Sequence, residues 1–454
     1  SIVTETQLQQ LSKMTIVVAD TGVIEEIKKH KPTDSTTNPS LVLKALNALK
    51  SDDEKENKEY NDLLKIAVDY VNSKCDDNVS LKDKLALGVD RLSVEFGKRI
   101  LAEIPGYVST ELDARLSFDV ENSVKRAVNI IKMYEELGIK NAKDRVLIKA
   151  ATTYEGVQIA KILREKYEIK CNMTLLFSIY QAAAAAQIAN AFLISPFVGR
   201  ISDYNKDKEY LALIKDAKDK NSVSIPSYDA FKNDPGVTSV KNIYGYYKRI
   251  GATTIVMGAS FRSKEQILAL AGCDRLTIGP KYLKQLNESN DKIKPQLIDN
   301  GDKTETIYCD KLDVSEPNYR FEMSKDDMAT FKLAEGIRKF AADIVKVEAI
   351  LQPLLEKASG SSQSSQSRPG GAKKADNSEI FDVCNNIKSA VEAQANKDGQ
   401  KGFDIFEGVE GTKQVVAGIM YEIKVKVGEN RFIKIKVFRS LPPVKYELKS
   451  VQYL

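Results

Sequence analysis

Short apolar runs alternate with amphipathic helical segments along the chain to about residue 355. The runs predict strands at residues 15–22, 107–115, 146–148, 171–177, 191–196, 253–260 and 275–279, whereas residues 34–39 predict a polar turn. After Arg200 we expect a loop and a long polar excursion to about residue 234, and a helix from Asp327 to about Leu355 that closes the domain. About eight strands alternating with helices indicate parallel strands joined by crossovers, most economically a closed (β/α)8 TIM barrel of the α/β class.

Lys149 follows Val146, Leu147 and Ile148, a run too apolar for a protein surface. Burial disfavours the ammonium form, so a lysine at this strand end can become a neutral amine and attack a carbonyl carbon to form a Schiff base. The commoner alternative for a lone lysine is that its stem lies along apolar surface while its charge reaches solvent. The polar residues around it decide between the two readings.

Functional side chains of such a barrel gather where the strands end. Taken singly, Asp20 could be a helix cap, Asn38 a turn residue before proline, and Arg200 a member of a surface ion pair. Taken together, they predict an active site with an amine, two carboxyl groups and a phosphate-binding pair of guanidinium groups. The strand ends carry Asp20, Asn38, Glu111, Lys149, Asn172, Thr174, Ser195, Arg200, Ser260 and Arg262.

Composition narrows the classes of partner and cofactor. The net charge of +5, from 68 Lys and Arg against 63 Asp and Glu, is nearly balanced and indicates neither nucleic acid nor a membrane as a partner. The single histidine, the scattered cysteines and the lack of a glycine-rich phosphate loop argue against a metal site and a nucleotide cofactor. We therefore expect a cytoplasmic protein with reduced thiols and chemistry that needs no cofactor.

An amine, two carboxyl groups and a pair of guanidinium groups suit imine chemistry on a polyhydroxylated ketone that carries a phosphate. The amine adds to the ketone, and loss of water leaves a protonated imine that draws electrons from the neighbouring carbon–carbon bond. A carboxylate then removes a hydroxyl proton and the bond breaks, so the two acids must have different environments. The predicted substrate is a sugar phosphate.

Several ordered motifs resemble the transaldolase family, of the long classical kind. They lie at residues 18–22, 36–40, 109–115, 147–150, 171–178, 194–200 and 257–262, within a match from about residue 4 to 357. The resemblance implies transfer of a dihydroxyacetone unit from sedoheptulose 7-phosphate to glyceraldehyde 3-phosphate, a reaction of the pentose phosphate pathway. A homodimer through the barrel is left open.

The same resemblance assigns a role to each site residue. Lys149 would form the Schiff base, and Asp20 would be the general acid and base at the C4 hydroxyl of the substrate. Glu111 and Thr174 would hold the water that carries protons during imine formation and hydrolysis. Asn38, Asn172 and Ser195 would bind the dihydroxyacetone hydroxyls, whereas Arg200, Ser260 and Arg262 would bind the phosphate.

The barrel domain is predicted to cover residues 1–357, and a different module is predicted after it. Residues 358–374 begin with a Ser/Gln-rich run that is too polar to order itself and is predicted to be a linker. In residues 375–454 an amphipathic helix, from Ser378 to about Gln394, precedes segments that alternate apolar residues with lysine and glutamate. One helix on an antiparallel sheet, a small α+β domain, is the simple arrangement.

Three segments of this module resemble a stefin-type cystatin, an inhibitor of papain-like cysteine proteases. They are Gly370-Gly371, Gln414-Val415-Val416-Ala417-Gly418 and Leu441-Pro442. In the family such segments form one wedge that enters the protease cleft, so the resemblance implies papain-like proteases as partners. It also suggests that the second domain inhibits them without a nucleophile of its own.

Alternative functions remain at this stage. The barrel could be a carrier for an inhibitor domain that is the working part. It could also be an aldolase that cleaves fructose 6-phosphate without an acceptor, because such an enzyme needs the same lysine. The sequence leaves open whether the two modules were joined in nature or in the laboratory.

Overall fold

A computed structural model describes residues 5–50, 57–216, 223–359, 373–375, 377–398, 403, 406–416, 418–428, 431–440 and 445–453. The chain divides into two compact units, Ser1–Ser359 and Gly360–Leu454. Each unit has a hydrophobic core of its own.

The first unit is a closed barrel of parallel strands, as predicted. Each strand pairs with the next one in the sequence, and the last pairs with the first, Arg275 lying opposite Ile16. The strands are β1 (Ile16–Asp20), β2 (Asp34–Thr36), β3 (Val108–Glu111), β4 (Val146–Ala151), β5 (Cys171–Leu176), β6 (Leu193–Pro196), β7 (Ile255–Gly258) and β8 (Arg275–Ile278).

Helices separate the strands along the chain. Several begin at the capping residues that a helix start favours; for example, the side chain of Ser80 accepts a hydrogen bond from the backbone of Asp83. No helix in the described ranges is long and apolar enough to cross a membrane. The helices are α1 (Gln7–Leu11), α2 (Ile24–His30), α3 (Pro39–Ala48), α4 (Lys58–Lys74), α5 (Leu81–Leu101), α6 (Val120–Glu136), α7 (Ala142–Arg145), α8 (Tyr154–Tyr167), α9 (Ile179–Gln187), α10 (Val198–Asp216), α11 (Pro235–Arg249), α12 (Lys264–Leu268), α13 (Pro280–Asn287), α14 (Glu316–Lys325) and α15 (Asp327–Ser359).

Strand β2 corrects the prediction of a polar turn at residues 34–39. All three of its residues are buried although none is apolar. Their polar groups find partners inside the barrel: the Ser35 hydroxyl donates to the carbonyl of Ala19 at 3.1 Å, and Asp34 forms an ion pair with Arg275. Because these hydrogen bonds satisfy the buried polar atoms, the strand needs no hydrophobic side chain.

Helix α10 corrects the prediction of a loop and polar excursion after Arg200. The helix continues to Asp216, so Arg200 lies in its first turn. The start of the helix is held by backbone and side chain alike, since the Val198 amide donates to the Ala259 carbonyl at 2.9 Å and the Ser202 hydroxyl donates to Asp234 at 2.7 Å. These links join residues far apart in the sequence, so the local pattern could not reveal them.

The second unit is one helix on an antiparallel sheet, as predicted. Apolar residues of the helix, among them Val383, Ile387 and Val391, pack against Ile423 and Val425 of the sheet. The strands stand in the order β13-β12-β11-β10-β9. The elements are β9 (Lys373–Lys374), α16 (Asn377–Lys397), β10 (Glu407–Val416), β11 (Gly418–Gly428), β12 (Arg431–Arg439) and β13 (Tyr446–Tyr453).

Candidate active site

Lys149 lies within β4 and points into the barrel with only 5% of its side chain exposed. The strand register places it opposite Glu111 of β3 and Asn172 of β5. Its Nζ atom lies 3.2 Å from Glu111 Oε2 and donates a hydrogen bond of 3.2 Å to the Thr37 carbonyl. The lysine is therefore buried rather than extended to solvent, and a carboxyl group is in direct reach of its amine.

The two carboxyl groups near the lysine are both buried, but their partners differ. Burial raises the pKa of Asp20 and that of Glu111, because a charged carboxylate is poorly solvated there, while the Lys149 charge opposes both shifts. Asp20 also accepts a hydrogen bond of 3.0 Å from the Thr36 hydroxyl. Glu111 pairs with the lysine itself, so the two acids have the separate environments that different roles require.

Amide and hydroxyl groups form a connected row beside the lysine. The Ser195 hydroxyl donates to Asn172 Oδ1 at 2.7 Å, and Asn172 Nδ2 donates to the Ser109 hydroxyl at 3.0 Å. Asn38 caps α3, since its Oδ1 accepts from the Leu41 amide at 2.9 Å. This hydrogen bond fixes the orientation of the Asn38 side-chain amide.

Thr174 lies two positions beyond Asn172 on β5, next to an irregularity in the strand. Leu175 has a φ of 52°, which side chains larger than glycine adopt rarely, and the pairing of β5 with β6 shifts at this point. The strain is held in place because Thr152 donates two hydrogen bonds to the Thr174 carbonyl, and Gln181 donates to the Leu175 carbonyl. Among the described residues, the buried Thr174 hydroxyl has no hydrogen-bond partner.

A cavity of about 190 Å³ opens at the lysine, with two guanidinium groups in its wall. Arg200 lies over the Phe197 and Phe340 rings, 5.0 and 5.7 Å from their centroids. Its Nη1 atom is buried and makes no hydrogen bond within the part of the chain that the structure describes. Burial, assisted by the nearby charge of Arg262, lowers the pKa of Arg200. Two cations in one cavity wall, one of them with an unpaired buried donor, suit an anionic group of a ligand.

The structure brings the predicted site residues together. Glu111 and Asn172 lie opposite the lysine on the adjoining strands β3 and β5, and Thr174 lies two positions further along β5, opposite Ala151. The cavity wall includes Asp20, Asn38, Lys149, Ser195, Arg200, Ser260 and Arg262. The cavity is also lined by four residues for which no site role was predicted: Thr36, Thr277, Tyr282 and Phe340. Thr36 stood beside Asn38 in the polar segment, but no sequence signal marked Phe340, which is one apolar position among many on α15.

The segments proposed to contact a protease lie only partly in the described residues. Gly370, Gly371, Ala417, Leu441 and Pro442 lie outside them, whereas Gln414, Val415 and Val416 end β10 and Gly418 begins β11. The strand pairs next to these segments are Lys373 with Lys413, Val416 with Gly418, and Ile419 with Arg439. The described strand ends that lead into all three segments are therefore at one end of the sheet.

The fold and the buried lysine with its carboxyl partners define an enzyme of the (β/α)8-barrel class. The family model for transaldolase/fructose-6-phosphate aldolase matches residues 17–351, and that for the cystatin domain matches residues 370–453. A probable transaldolase of Dictyostelium discoideum is 47% identical over 348 residues, which cover 77% of this chain and 99% of that protein. A probable transaldolase of Drosophila melanogaster is 45% identical over 77% of this chain and 96% of the relative.

Bacterial proteins show the same level of similarity. A transaldolase of Vibrio vulnificus is 46% identical over 345 residues, which cover 76% of this chain and 98% of that protein. The chain thus belongs to the transaldolase/fructose-6-phosphate aldolase family and carries a C-terminal cystatin domain. Its barrel is an enzyme, a transaldolase.

Proposed function

We propose that the barrel transfers a dihydroxyacetone unit from sedoheptulose 7-phosphate to glyceraldehyde 3-phosphate, giving erythrose 4-phosphate and fructose 6-phosphate. This is a step of the pentose phosphate pathway. The observation that carries the proposal is the buried Lys149 amine, 3.2 Å from Glu111, at the base of a cavity with two arginines in its wall. The names of the relatives support the reaction class.

Imine formation requires an unprotonated amine and a route for protons. Glu111 lies close enough to Lys149 to accept its proton, and burial favours the protonated carboxyl that results. The amine then adds to the C2 carbonyl carbon of the donor, and the oxygen leaves as water. The Thr174 hydroxyl, which lacks a partner among the described residues, is suited to hold a water molecule that shuttles these protons.

Bond cleavage is assigned to Asp20. Its carboxylate removes the proton of the C4 hydroxyl, the C3–C4 bond breaks, and its electrons move into the iminium group to leave an enamine on Lys149. Erythrose 4-phosphate departs and glyceraldehyde 3-phosphate enters. The enamine attacks the new aldehyde carbon, Asp20 returns its proton to the new hydroxyl group, and water hydrolyses the imine to release fructose 6-phosphate.

The remaining site residues hold the substrate. Asn38, Asn172 and Ser195 offer amide and hydroxyl groups beside the lysine, which suit the hydroxyls of a dihydroxyacetone unit. Arg200, Ser260 and Arg262 at the cavity wall suit the phosphate, because guanidinium groups bind phosphate oxygens with paired hydrogen bonds.

Borohydride trapping tests the lysine directly. Reduction in the presence of fructose 6-phosphate should link the sugar covalently to Lys149, and Lys149→Ala should lose both the label and turnover. Lys166→Ala, an exposed lysine on α8, is the matched control and should keep both. Undiminished turnover of Lys149→Ala would refute the mechanism.

An acceptor-dependence assay separates transfer from simple cleavage. A transferase releases free dihydroxyacetone slowly and consumes fructose 6-phosphate only when erythrose 4-phosphate is supplied as acceptor. If consumption proceeds equally fast without an aldehyde acceptor, the barrel is instead an aldolase that uses the same lysine.

We also propose that the C-terminal domain inhibits papain-like cysteine proteases. The cystatin match supports it, as do the strand ends that lead into the three proposed contact segments at one end of the sheet. Titration of active papain with the whole chain should abolish peptide hydrolysis at a stoichiometric ratio. Protease activity that stays unchanged at excess inhibitor would remove the proposal.

We place the protein in the cytoplasm. All five cysteines are free thiols, and Cys171, Cys273 and Cys384 are buried. Persistent free thiols are typical of a reducing compartment.

A further inference from the structure

Arg262, one of the two guanidinium groups in the cavity wall, is held by a carboxylate that has no role in the proposed mechanism. Its Nε and Nη2 atoms both lie 2.9 Å from Asp203 Oδ2. Its Nη1 atom faces the other way, 3.2 Å from the Ser260 carbonyl and 3.3 Å from the Ser260 hydroxyl. Nη1 also lies 3.4 Å from the Phe261 carbonyl, so Asp203 holds one edge of the planar group and oxygens of the loop hold its Nη1 end.

Asp203 and Arg200 are three residues apart on α10, so both project from the same face of the helix. From that face Arg200 reaches the cavity directly, whereas Asp203 reaches it through Arg262. The two arginines repel each other, and the charge of Arg262 adds to burial in lowering the pKa of Arg200. A carboxylate against the outer side of Arg262 offsets that repulsion.

The backbone around this pair is fixed independently of Asp203. The Gly199 amide donates to the Ser260 carbonyl at 2.9 Å, and a Cβ atom at Gly199 would lie 2.3 Å from that oxygen, so only glycine fits. The Arg262 amide donates to Gln266 at 2.8 Å, and Gln266 is bound in turn by Asp234. Removal of the Asp203 side chain therefore leaves the loop in place and releases only the Nε and Nη2 edge of the guanidinium group.

We infer that Asp203 is a positioning residue for substrate phosphate: it fixes the plane of the Arg262 guanidinium group in the cavity wall, beside Ser260 and Arg200, so that the group is already oriented when the phosphate binds. An exposed ion pair of this kind contributes little to folding stability, since Arg262 and Asp203 are 42% and 38% exposed. Its contribution is to orientation, because a preorganised guanidinium group loses less entropy when the phosphate binds. The inference rests on the phosphate role proposed for Arg200, Ser260 and Arg262.

Kinetics with and without a phosphate on the substrate test the role. In Asp203→Ala the KM for fructose 6-phosphate should rise about tenfold with kcat almost unchanged, because the lost interaction orients bound phosphate rather than the reacting carbon. Asp203→Asn keeps an oxygen that can accept from Arg262, so its KM should rise by a smaller factor. Borohydride trapping of dihydroxyacetone, which carries no phosphate, should proceed at the wild-type rate in both variants.

Asp207→Ala is the matched control, because Asp207 is exposed one turn further along α10. It should leave every value unchanged. Calorimetric titration with inorganic phosphate measures the affinity of the proposed phosphate site without turnover. Asp203→Ala should weaken this binding about tenfold. A wild-type chain that binds phosphate but shows no transfer would refute the proposed function while leaving this inference standing.

Other outcomes would overturn the inference. An unchanged or lowered KM in Asp203→Ala would mean that Asp203 is irrelevant or only competes with phosphate for Arg262. Equal losses with fructose 6-phosphate and dihydroxyacetone would indicate a general structural role. Failure of the wild-type protein to bind inorganic phosphate would show that Arg200, Ser260 and Arg262 do not form a phosphate site.

Discussion

At the scale of single residues, the hydrogen-bond partners distinguish two acids that are otherwise alike. Asp20 and Glu111 share burial and a raised pKa, yet Asp20 accepts from the Thr36 hydroxyl and Glu111 pairs with Lys149. The Thr36 hydroxyl also lies 2.7 Å from that of Thr277, so a row of hydroxyl groups ends at the Asp20 carboxylate. A substitution in this row can therefore change the pKa of Asp20 without altering a residue that contacts Lys149.

Substitution of Thr36 should therefore change the pH dependence of turnover. A hydrogen bond donated to a carboxylate favours its charged form, so Thr36→Val should raise the pKa of Asp20 further. Cleavage needs the ionised carboxylate, and activity is lost as the pH falls through that pKa. The acid limb of the kcat/KM profile, which reports the free enzyme, should consequently move to higher pH.

Ser35→Ala is the control for this measurement. Ser35 is buried on the same strand, but its hydroxyl donates to the carbonyls of Ala19 and Thr21 instead of a carboxylate. Its acid limb should coincide with that of the wild type. Equal displacement in both variants would show that loss of any hydroxyl from β2 disturbs the site, and that Thr36 does not tune Asp20.

Sequence reasoning found the residues of this site unevenly, for a physical reason. Lys149 and Asp20 follow apolar runs, and a charged residue at the end of a buried strand is conspicuous. Thr36 sits in a strand without apolar residues, and Phe340 is an ordinary apolar position on a helix, so neither differs locally from a structural residue. Their place in the cavity depends on contacts across the barrel, which no local pattern encodes.

At the scale of elements, buried ion pairs connect helices on the outside of the barrel. Arg126 of α6 donates to both carboxylate oxygens of Asp90 on α5, at 2.6 and 2.8 Å, and to Asp113 after β3 at 3.1 Å. Arg115 then links Asp113 to Glu348 of α15. These contacts join α5, α6, the end of β3 and α15, so the helices are held next to the strand that carries Glu111.

Removal of the central cation should destabilise the barrel strongly. Arg126→Met leaves the buried Asp90 carboxylate without its main partner, which should lower the free energy of unfolding by about 3–5 kcal/mol. Lys125→Met, at the neighbouring residue whose partner Glu121 is exposed, should leave it almost unchanged. Urea denaturation of both variants gives the values, and a small effect of Arg126→Met would show that solvent reaches Asp90.

The predicted elements were most accurate where one helix or strand packs on a uniform core. Helix α15, predicted from Asp327 to about Leu355, and helix α16, predicted from Ser378 to about Gln394, agree with their sequence patterns. The predictions for the segments that form strand β2 and helix α10 were wrong, because distant residues satisfy the polar groups there. Arg275 pairs with Asp34, and Asp234 accepts a hydrogen bond from Ser202. Tertiary partners overrode the local pattern in both cases.

At the scale of the whole molecule, the two units match two different families, and their described core residues form separate clusters. The barrel buries its own cluster, and the second unit buries a separate one between α16 and the sheet. The residues proposed for catalysis all lie before residue 359, and those proposed to contact a protease all lie after it. Each unit therefore has the core and the candidate site that an independent domain needs.

A chain that ends at Ser359 should keep the activity of the barrel. Because every described residue of its core and cavity lies at or before α15, the kcat and KM for fructose 6-phosphate should stay within about twofold of the whole chain, while papain inhibition should disappear. Lys149→Ala in the whole chain is the reciprocal variant and should lose turnover but inhibit papain unchanged. Loss of turnover in the shortened chain, with its thermal unfolding still cooperative, would instead show that the cystatin domain takes part in the barrel reaction.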